Sequence, residues 1–344
     1  MKKTIHYLML ALTFGLALLI FSSCIDPLGK EKVKYEVNVK VIPSDVISPF
    51  QFEMNTGDLT VIDNGYKIRV TLRAYDASGF LADKQSSFIQ NYDAICNMTL
   101  LLESGSYTLI ATTDIVEYDG SKVKFEFWNF GKDGGSNDDS KLSELEITDN
   151  GKIGSSGSKI LGVAYSRVSV NDEATDTSIR VEPAGSLVLL VFNNIHADSK
   201  KQTLEVETNK LGDFLFFENS VNYSVSYKWP DEDHYFRIQS IELSDYSKYD
   251  LVYSYVFFLP GDKYEFKARY NTEKSHGYLV DESITARIGK GEEYLMMYDC
   301  KDEDTGKPLF GMVKIEDTKS GIYYKFDALK TCARVSQASD NDSE

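Results

Sequence analysis

The side chains in this sequence that could do chemistry are few and scattered. Three histidines lie beyond the N-terminal segment, at His196, His234 and His276. None has a second His or a Cys at the short spacing that a tetrahedral metal site requires. Asp231, Glu232, Asp233 and His234 form one compact polar patch after Trp229 and Pro230, to be read as a metal or glycan site or, more plainly, as a loop. Asp133, Asn137, Asp138 and Asp139, in the stretch GKDGGSNDDS, offer the hard oxygens that calcium takes. They lack the alternating carboxylates, fixed glycine and terminal glutamate of an EF-hand loop, so a solvated loop is the expectation. A nucleophile elbow of the form Gly-x-Ser-x-Gly, a phosphate-cradling glycine loop ending in Lys-Ser/Thr, and a His-Glu-x-x-His pair are all missing from the sequence. The acids are many, but no single pair stands out as a glycosidase couple. The reading is therefore non-enzymatic, with no catalytic, cofactor or metal residue assigned.

One residue does point to a definite reaction. Lys2 and Lys3 precede an apolar stretch from Tyr7 to Phe21, which is too short for a comfortable membrane span and the right length for a signal-peptide core. Ser22 and Ser23 then lead directly into Cys24, and Phe-Ser-Ser-Cys has the form of a bacterial lipobox. In such a segment the cysteine becomes the lipidated first residue of the mature chain. More than one acyl chain on Cys24 would anchor the protein firmly to a membrane. Residues 1–23 are accordingly read as a lipoprotein signal peptide and 24–32 as a tether. The expected location is the outer membrane. Asp26 and Glu31 are too sparse to mark surface export, so the periplasmic and cell-surface faces both remain open.

The other cysteines are Cys96, Cys300 and Cys332. Three thiols allow one bridge. Cys300 and Cys332 are the nearer pair and the candidate disulfide, two free thiols being the alternative; Cys96 follows a strand-like stretch and reads as a small buried hydrophobe.

The elements that must carry these residues are almost all strands. Val33, Tyr35, Val37, Val39 and Val41 alternate with Lys34, Glu36, Asn38 and Lys40, the period-2 pattern of a half-buried strand that Pro43 brings to an end. Tyr66 to Ala74 alternates in the same way and meets the turn cluster Asp76–Gly79. Further candidates are 98–102, 107–113, 123–130, 142–147 and 160–170. After the polar stretch Asn171–Ser178, an interdomain connection or a long hairpin tip, come 180–184 and 186–192. The latter is nearly continuous in its apolar character, as in a strand buried on both faces. Then follow 202–209, 220–228, 236–243, 250–259, 264–270, 284–288 and 293–300, with a turn at Pro260-Gly261-Asp262. No convincing helical stripe interrupts the first half. Short strands at this spacing argue for an all-β chain of two antiparallel β-sandwich domains in tandem, at 33–157 and 158–300. A C-terminal extension, 301–336, should pack on the second as a hairpin or edge strand, and 337–344 should be a disordered tail.

Composition sets further limits. The 344 residues carry 53 Asp+Glu against 37 Lys+Arg, a formal charge of −16. With no cationic surplus to displace counterions, a nucleic-acid partner is excluded. The 22 Tyr, 19 Phe, Trp128 and Trp229 could present flat platforms for sugar rings, although Tyr and Phe are also ordinary strand and core residues.

With these pieces in order, Leu102-x-x-Gly105-x-Tyr107-x-Leu109-x-Ala111 resembles the strand opening of the fimbrillin and fimbrial-anchor superfamily of the Bacteroides group. The resemblance implies two transthyretin-like domains and a structural role, with fimbrial subunits engaged by strand addition. Polymerising fimbrillins of this kind are cut after an Arg near the start of the mature chain, freeing a groove for a neighbour's strand. Here the first Arg after Cys24 is Arg69, in the middle of an alternating strand. The expectation is a non-polymerising accessory or anchor subunit, monomeric on its own, with the strand over Val33–Ile42 retained in its own sheet. The alternative is a surface glycan-binding lipoprotein of a polysaccharide-utilisation system.

Overall fold

A computed structural model of the chain describes residues 32–43, 66–89, 94–131, 139–150, 160–193, 202–219, 222–230, 235–242, 251–272, 278–299, 309–314, 323–326 and 332–335. Among these residues the only helical element is a single 3-10 turn, Leu142–Glu144. The chain is all-β, as its alternating pattern predicts, and among the described residues no helix is long and apolar enough to cross a membrane.

An eight-stranded sheet holds most of the first half. Its strands are β1 (Lys34–Pro43), β2 (Tyr66–Tyr75), β3 (Leu81–Ile89), β4 (Cys96–Glu103), β5 (Gly105–Tyr118), β6 (Val123–Glu126), β9 (Leu161–Val170) and β10 (Thr175–Pro183). The order across the sheet is β3-β2-β5-β9-β10-β1-β4, with β6 paired to the end of β5. The junction of β9 and β10 is brief, Glu182 facing Val163 and Pro183 facing Gly162, and elsewhere the two strands diverge to different neighbours. The outer strands β3 and β4 come together, the Leu101 amide donating to the Asp83 carboxylate at 2.8 Å. An edge amide is thereby capped by a charge instead of being left as a template for another strand.

Two strands of this sheet lie beyond the boundary expected at 157/158. β9 and β10, which sequence spacing assigns to the second unit, hydrogen-bond to β5 and β1. Local pattern marks them as strands but carries no information on a parallel pairing such as Val37 with Thr175. Within the polar stretch Asn171–Ser178, residues 171–174 connect β9 to β10, and 175–178 already belong to β10.

The rest of the chain forms three four-stranded sheets. β7 (Trp128–Phe130) and β8 (Glu146–Asp149) from the first half join β13 (Leu211–Asn219) and β14 (Asn222–Lys228) in the order β14-β13-β8-β7. β12 (Gln202–Thr208), β15 (Phe236–Glu242), β17 (Gly261–Thr272) and β18 (Tyr278–Ile288) lie as β15-β12-β17-β18. β11 (Ser186–Asn193), β16 (Leu251–Phe258), β19 (Glu293–Asp299) and β20 (Leu309–Lys314) lie as β16-β11-β19-β20. β20, from the C-terminal extension, is an edge strand against β19. β21 (Tyr323–Phe326) and β22 (Cys332–Val335) pair with each other.

β11 explains its own composition. Leu187, Leu189 and Val191 belong to an apolar cluster that extends back to Val37, Val39 and Val41 of β1. Val188 and Leu190, on the opposite face, belong to a second cluster with Phe258, Tyr264, Phe266 and Met296. A strand with a core on each side must be apolar at every position, hence the uninterrupted run. Only Ala184 and Gly185 separate β10 from β11, so the passage between sheets is tight.

Candidate interaction surfaces

An assembly role turns on the first strand. β1 is held on both sides: parallel to β10 from Val37 to Pro43, and antiparallel to β4 from Lys34 to Val41. Val37, Val39 and Val41 are fully buried, Tyr35 is half-buried and Val33, before the strand, is 63% exposed. Three inward side chains rather than five therefore anchor it, since the strand begins at Lys34 and its first turn of alternation lies at the rim. Burying three valines still contributes about 1.5–3 kcal/mol each before chain entropy is subtracted.

Arg69 lies in β2, which is flanked by β3 and β5. Its guanidinium donates to both Asp114 oxygens, Nε at 3.0 Å and Nη2 at 2.8 Å, and also to Glu126. Burial works against the charged guanidinium, but the Asp114 and Glu126 carboxylates outweigh it and raise its pKa. A protease would have to open the sheet and break this charge-assisted pair to reach the bond after Arg69.

Four residues on, the same face of β2 carries Arg73. It is 2% exposed and donates through Nε to Asp139 Oδ2 at 2.6 Å. Lys84 Nζ reaches the same oxygen at 2.7 Å, and Tyr75 donates its hydroxyl to the Asp139 carbonyl at 3.0 Å. The Arg73 guanidinium also lies 4.7 Å from the Phe130 ring centre. Desolvation would push the Asp139 carboxyl up, but the hydrogen bonds from Lys84 and Arg73 hold it below the ordinary carboxylate range. Asp139 is therefore a buried counter-ion, not part of a solvated loop. Its engaged oxygen is unsuited to calcium, and Asp133, Asn137 and Asp138 lie outside the described residues. No pattern local to residues 131–140 could have exposed this, because the partners are 66 and 55 positions away.

The Leu102–Tyr107 motif is a turn with a lock. Leu102 is buried at the end of β4, Ser104 turns the chain, and Tyr107 reaches back to donate its hydroxyl to the Glu103 carbonyl at 3.0 Å. Gly105 leaves room for the ring, whose edge would meet an added Cβ at 3.6 Å, ordinary contact.

Of the aromatics weighed as sugar platforms, Trp128 is buried edge-on against Phe257. Trp229 is 61% exposed and neighbours Lys210, whose ammonium lies 4.5 Å from the Tyr227 ring, 4.8 Å from Tyr264 and 5.6 Å from Trp229. Lys210 Nζ also donates to the Asp262 carbonyl, and burial lowers its pKa. This amine is occupied in clamping the bulged start of β17, where Lys263 has φ +57°.

Cys96 is buried and free, as its position suggests. Cys24, Cys300, His196, His234, His276 and the patch 231–234 lie outside the described residues, as does the Cys332 side chain within β22. Among the described residues no group of His, Cys, Asp or Glu is arranged to hold a metal.

These features define an all-β protein of several interlocked sheets, with buried ion pairs and no assembled catalytic centre among the described residues. No family model matches the chain, and no curated protein matches it. Solved structures that resemble it include a candidate polysaccharide-binding protein of Bacteroides thetaiotaomicron, at 12% identity over 82% of this chain and 99% of that one, with a TM-score of 0.48. A candidate adhesin of the same organism has 11% identity over 81% and 96%, also at 0.48. The fimbrial anchor protein Mfa2 of Porphyromonas gingivalis has 12% identity over 81% and 97%, at 0.41. The likeness is one of strand arrangement.

Proposed function

We propose that this protein is a lipid-anchored envelope subunit of the fimbrial accessory or anchor kind, non-enzymatic and not self-polymerising. The observation that carries this reading is the enclosure of β1 between β10 and β4, with the first Arg of the mature sequence ion-paired inside β2 of the same sheet. A chain that donates or accepts a strand by proteolytic release needs that first strand at an edge and a cleavable bond beside it. The enclosure of β1 and the ion pairing of Arg69 argue against both. The lipobox ending at Cys24 and the Leu102–Tyr107 motif support the same reading, in which the chain carries two transthyretin-like units and β9 and β10 extend the first to Pro183. A partner would instead add a strand to an outer strand of the smaller sheets, such as β18 or β14, each of which ends its sheet among the described residues.

Treating the full chain with an Arg-specific protease and running it unboiled on an SDS gel tests the central point. The expected result is no ladder; SDS-resistant multimers would overturn it. Cys24→Ala should move the protein from membrane to soluble fractions, and unchanged membrane retention would refute the anchor. Cross-linking in whole cells should recover a fimbrial subunit with the full chain.

A further inference from the structure

The solvent face of β10, β1 and β4 carries a shallow groove of about 570 Å³, lined by Asn38, Lys40, Asn97, Thr99, Asp176 and Ser178 among others. We propose that this groove binds an uncharged oligosaccharide. It lies on a sheet face, away from the strand edges invoked above, so it adds a ligand site to the assembly role and does not depend on it.

Two ranks of polar side chains cross the three strands here. In the first, Thr99 Oγ1 donates to Asn38 Oδ1 at 2.9 Å, and Asn38 Nδ2 donates to Asp176 Oδ1 at 3.0 Å. These bonds fix three side chains and, among the described residues, leave the other Asp176 oxygen and the second Asn38 amide hydrogen without a further hydrogen bond. In the second rank, Lys40 stands level with Asn97 on β4 and Ser178 on β10. Among the described residues this rank makes no side-chain hydrogen bond. One row is therefore pre-organised and the next is exposed to solvent, with neighbouring strands about 4.8 Å apart. The spacing suits a ligand that presents hydroxyls at short, regular intervals.

The chemistry of the lining selects among ligands. Asn97 and Ser178 both donate and accept, Lys40 donates and Asp176 accepts, which together match sugar hydroxyls that do both. Lys40 and Asp176 cancel in charge, so nothing in the lining favours an anionic ligand. An extended peptide would be read through backbone bonds at a strand edge, and both edges of β1 are taken. One rank further along, opposite Glu36, Leu101 is 47% exposed and offers an apolar rim for the C–H face of a ring. The volume falls in the range of about 300–1,000 Å³ usual for small-ligand sites. With no aromatic ring in the lining, binding should be weak and best read on a polymer that presents many copies.

The test is affinity electrophoresis of the full chain through gels containing xylan, mannan or starch, with polygalacturonate as the acidic comparison. At least one neutral polysaccharide should retard the protein. Asn38→Ala with Asp176→Ala should weaken that retardation at least fivefold. Asn97→Leu, which removes a polar group of the second rank and leaves the Thr99–Asn38–Asp176 ladder intact, should do the same. Trp229→Ala, at the exposed aromatic elsewhere, should leave it unchanged. No retardation by any neutral polymer, retardation by polygalacturonate alone, retention in Asn97→Leu, or loss in Trp229→Ala would each overturn the assignment. Thermal unfolding checks each variant, and Asn97→Leu decides if the double variant fails to fold.

Discussion

Arg73 and Asp139 form a buried ion pair, Nε to Oδ2 at 2.6 Å, that joins the second strand of the large sheet to the far end of a polar loop. Their side chains are 2% and 7% exposed. Removing one partner from such a pair leaves a buried charge without compensation and costs about 3–5 kcal/mol. Asp139→Ala should therefore lower the urea midpoint sharply, with Lys84 also losing a partner while Tyr75 keeps its bond to the backbone carbonyl. Replacing both members, Arg73→Met with Asp139→Leu, should restore much of the loss. A single variant as stable as the wild type would show that the pair contributes little.

The same carboxylate should shape the acid response. Its folded pKa lies below its ordinary value, so its contribution is fully present above about pH 4, the usual carboxylate pKa, and is lost as pH falls through the folded value. Asp139→Asn lacks that contribution at every pH. The stability gap between wild type and Asp139→Asn should be widest near neutrality and shrink at pH 3. Denaturant midpoints at the two pH values measure this, and a gap constant with pH would contradict it.

What could be read from sequence here follows physical lines. β1 and β2 each have one face in the core and one outside it, so their alternation is visible from neighbours two residues apart. β11 is legible for the opposite reason, having a core on both faces. β3 is not legible: Leu81–Ile89 lies at a sheet edge with most of its side chains exposed, and its middle, Asp83–Ser87, is polar at every position. β13 is hidden by Gly212 and by an apolar run that breaks the period, and 123–130 divides into two strands because its halves pair in different sheets. The ion pair was least accessible. Arg69 and Arg73 alternate with buried residues in a strand, a hint that the outer face of β2 is covered, but only the fold supplies Asp114 and Asp139.

Gly185 should tolerate no side chain. It lies in the two-residue passage between β10 and β11, and a Cβ there would overlap the Phe258 carbonyl oxygen and press on the Phe257 ring at 2.9 Å. The obstacle is backbone, which cannot rotate away. Gly185→Ala should cost about 1–3 kcal/mol or more, as overpacking does elsewhere. Gly79→Ala makes a useful contrast: nothing lies within 4 Å of its Cβ position, and its penalty comes from φ +80° alone. Thermal melts of the two variants separate steric overlap from backbone strain, and an unperturbed Gly185→Ala would disprove the tight passage.

Hydrogen exchange offers a direct check on the enclosure of β1. Every position from Val37 to Val41 is paired with both β10 and β4, so its amides can exchange only when the sheet opens on at least one side. β3 pairs with β2 on one side and meets β4 on the other through a side-chain contact, leaving part of its backbone less protected. Amides of Val37–Val41 should therefore be among the slowest in the large sheet, and those of Lys84–Ser87 clearly faster. Pro43 has no amide to report, so the comparison rests on the middle of the strand. If β1 exchanged as fast as β3, the first strand would be free to leave its place, and the case against polymerisation by strand release would fall with it.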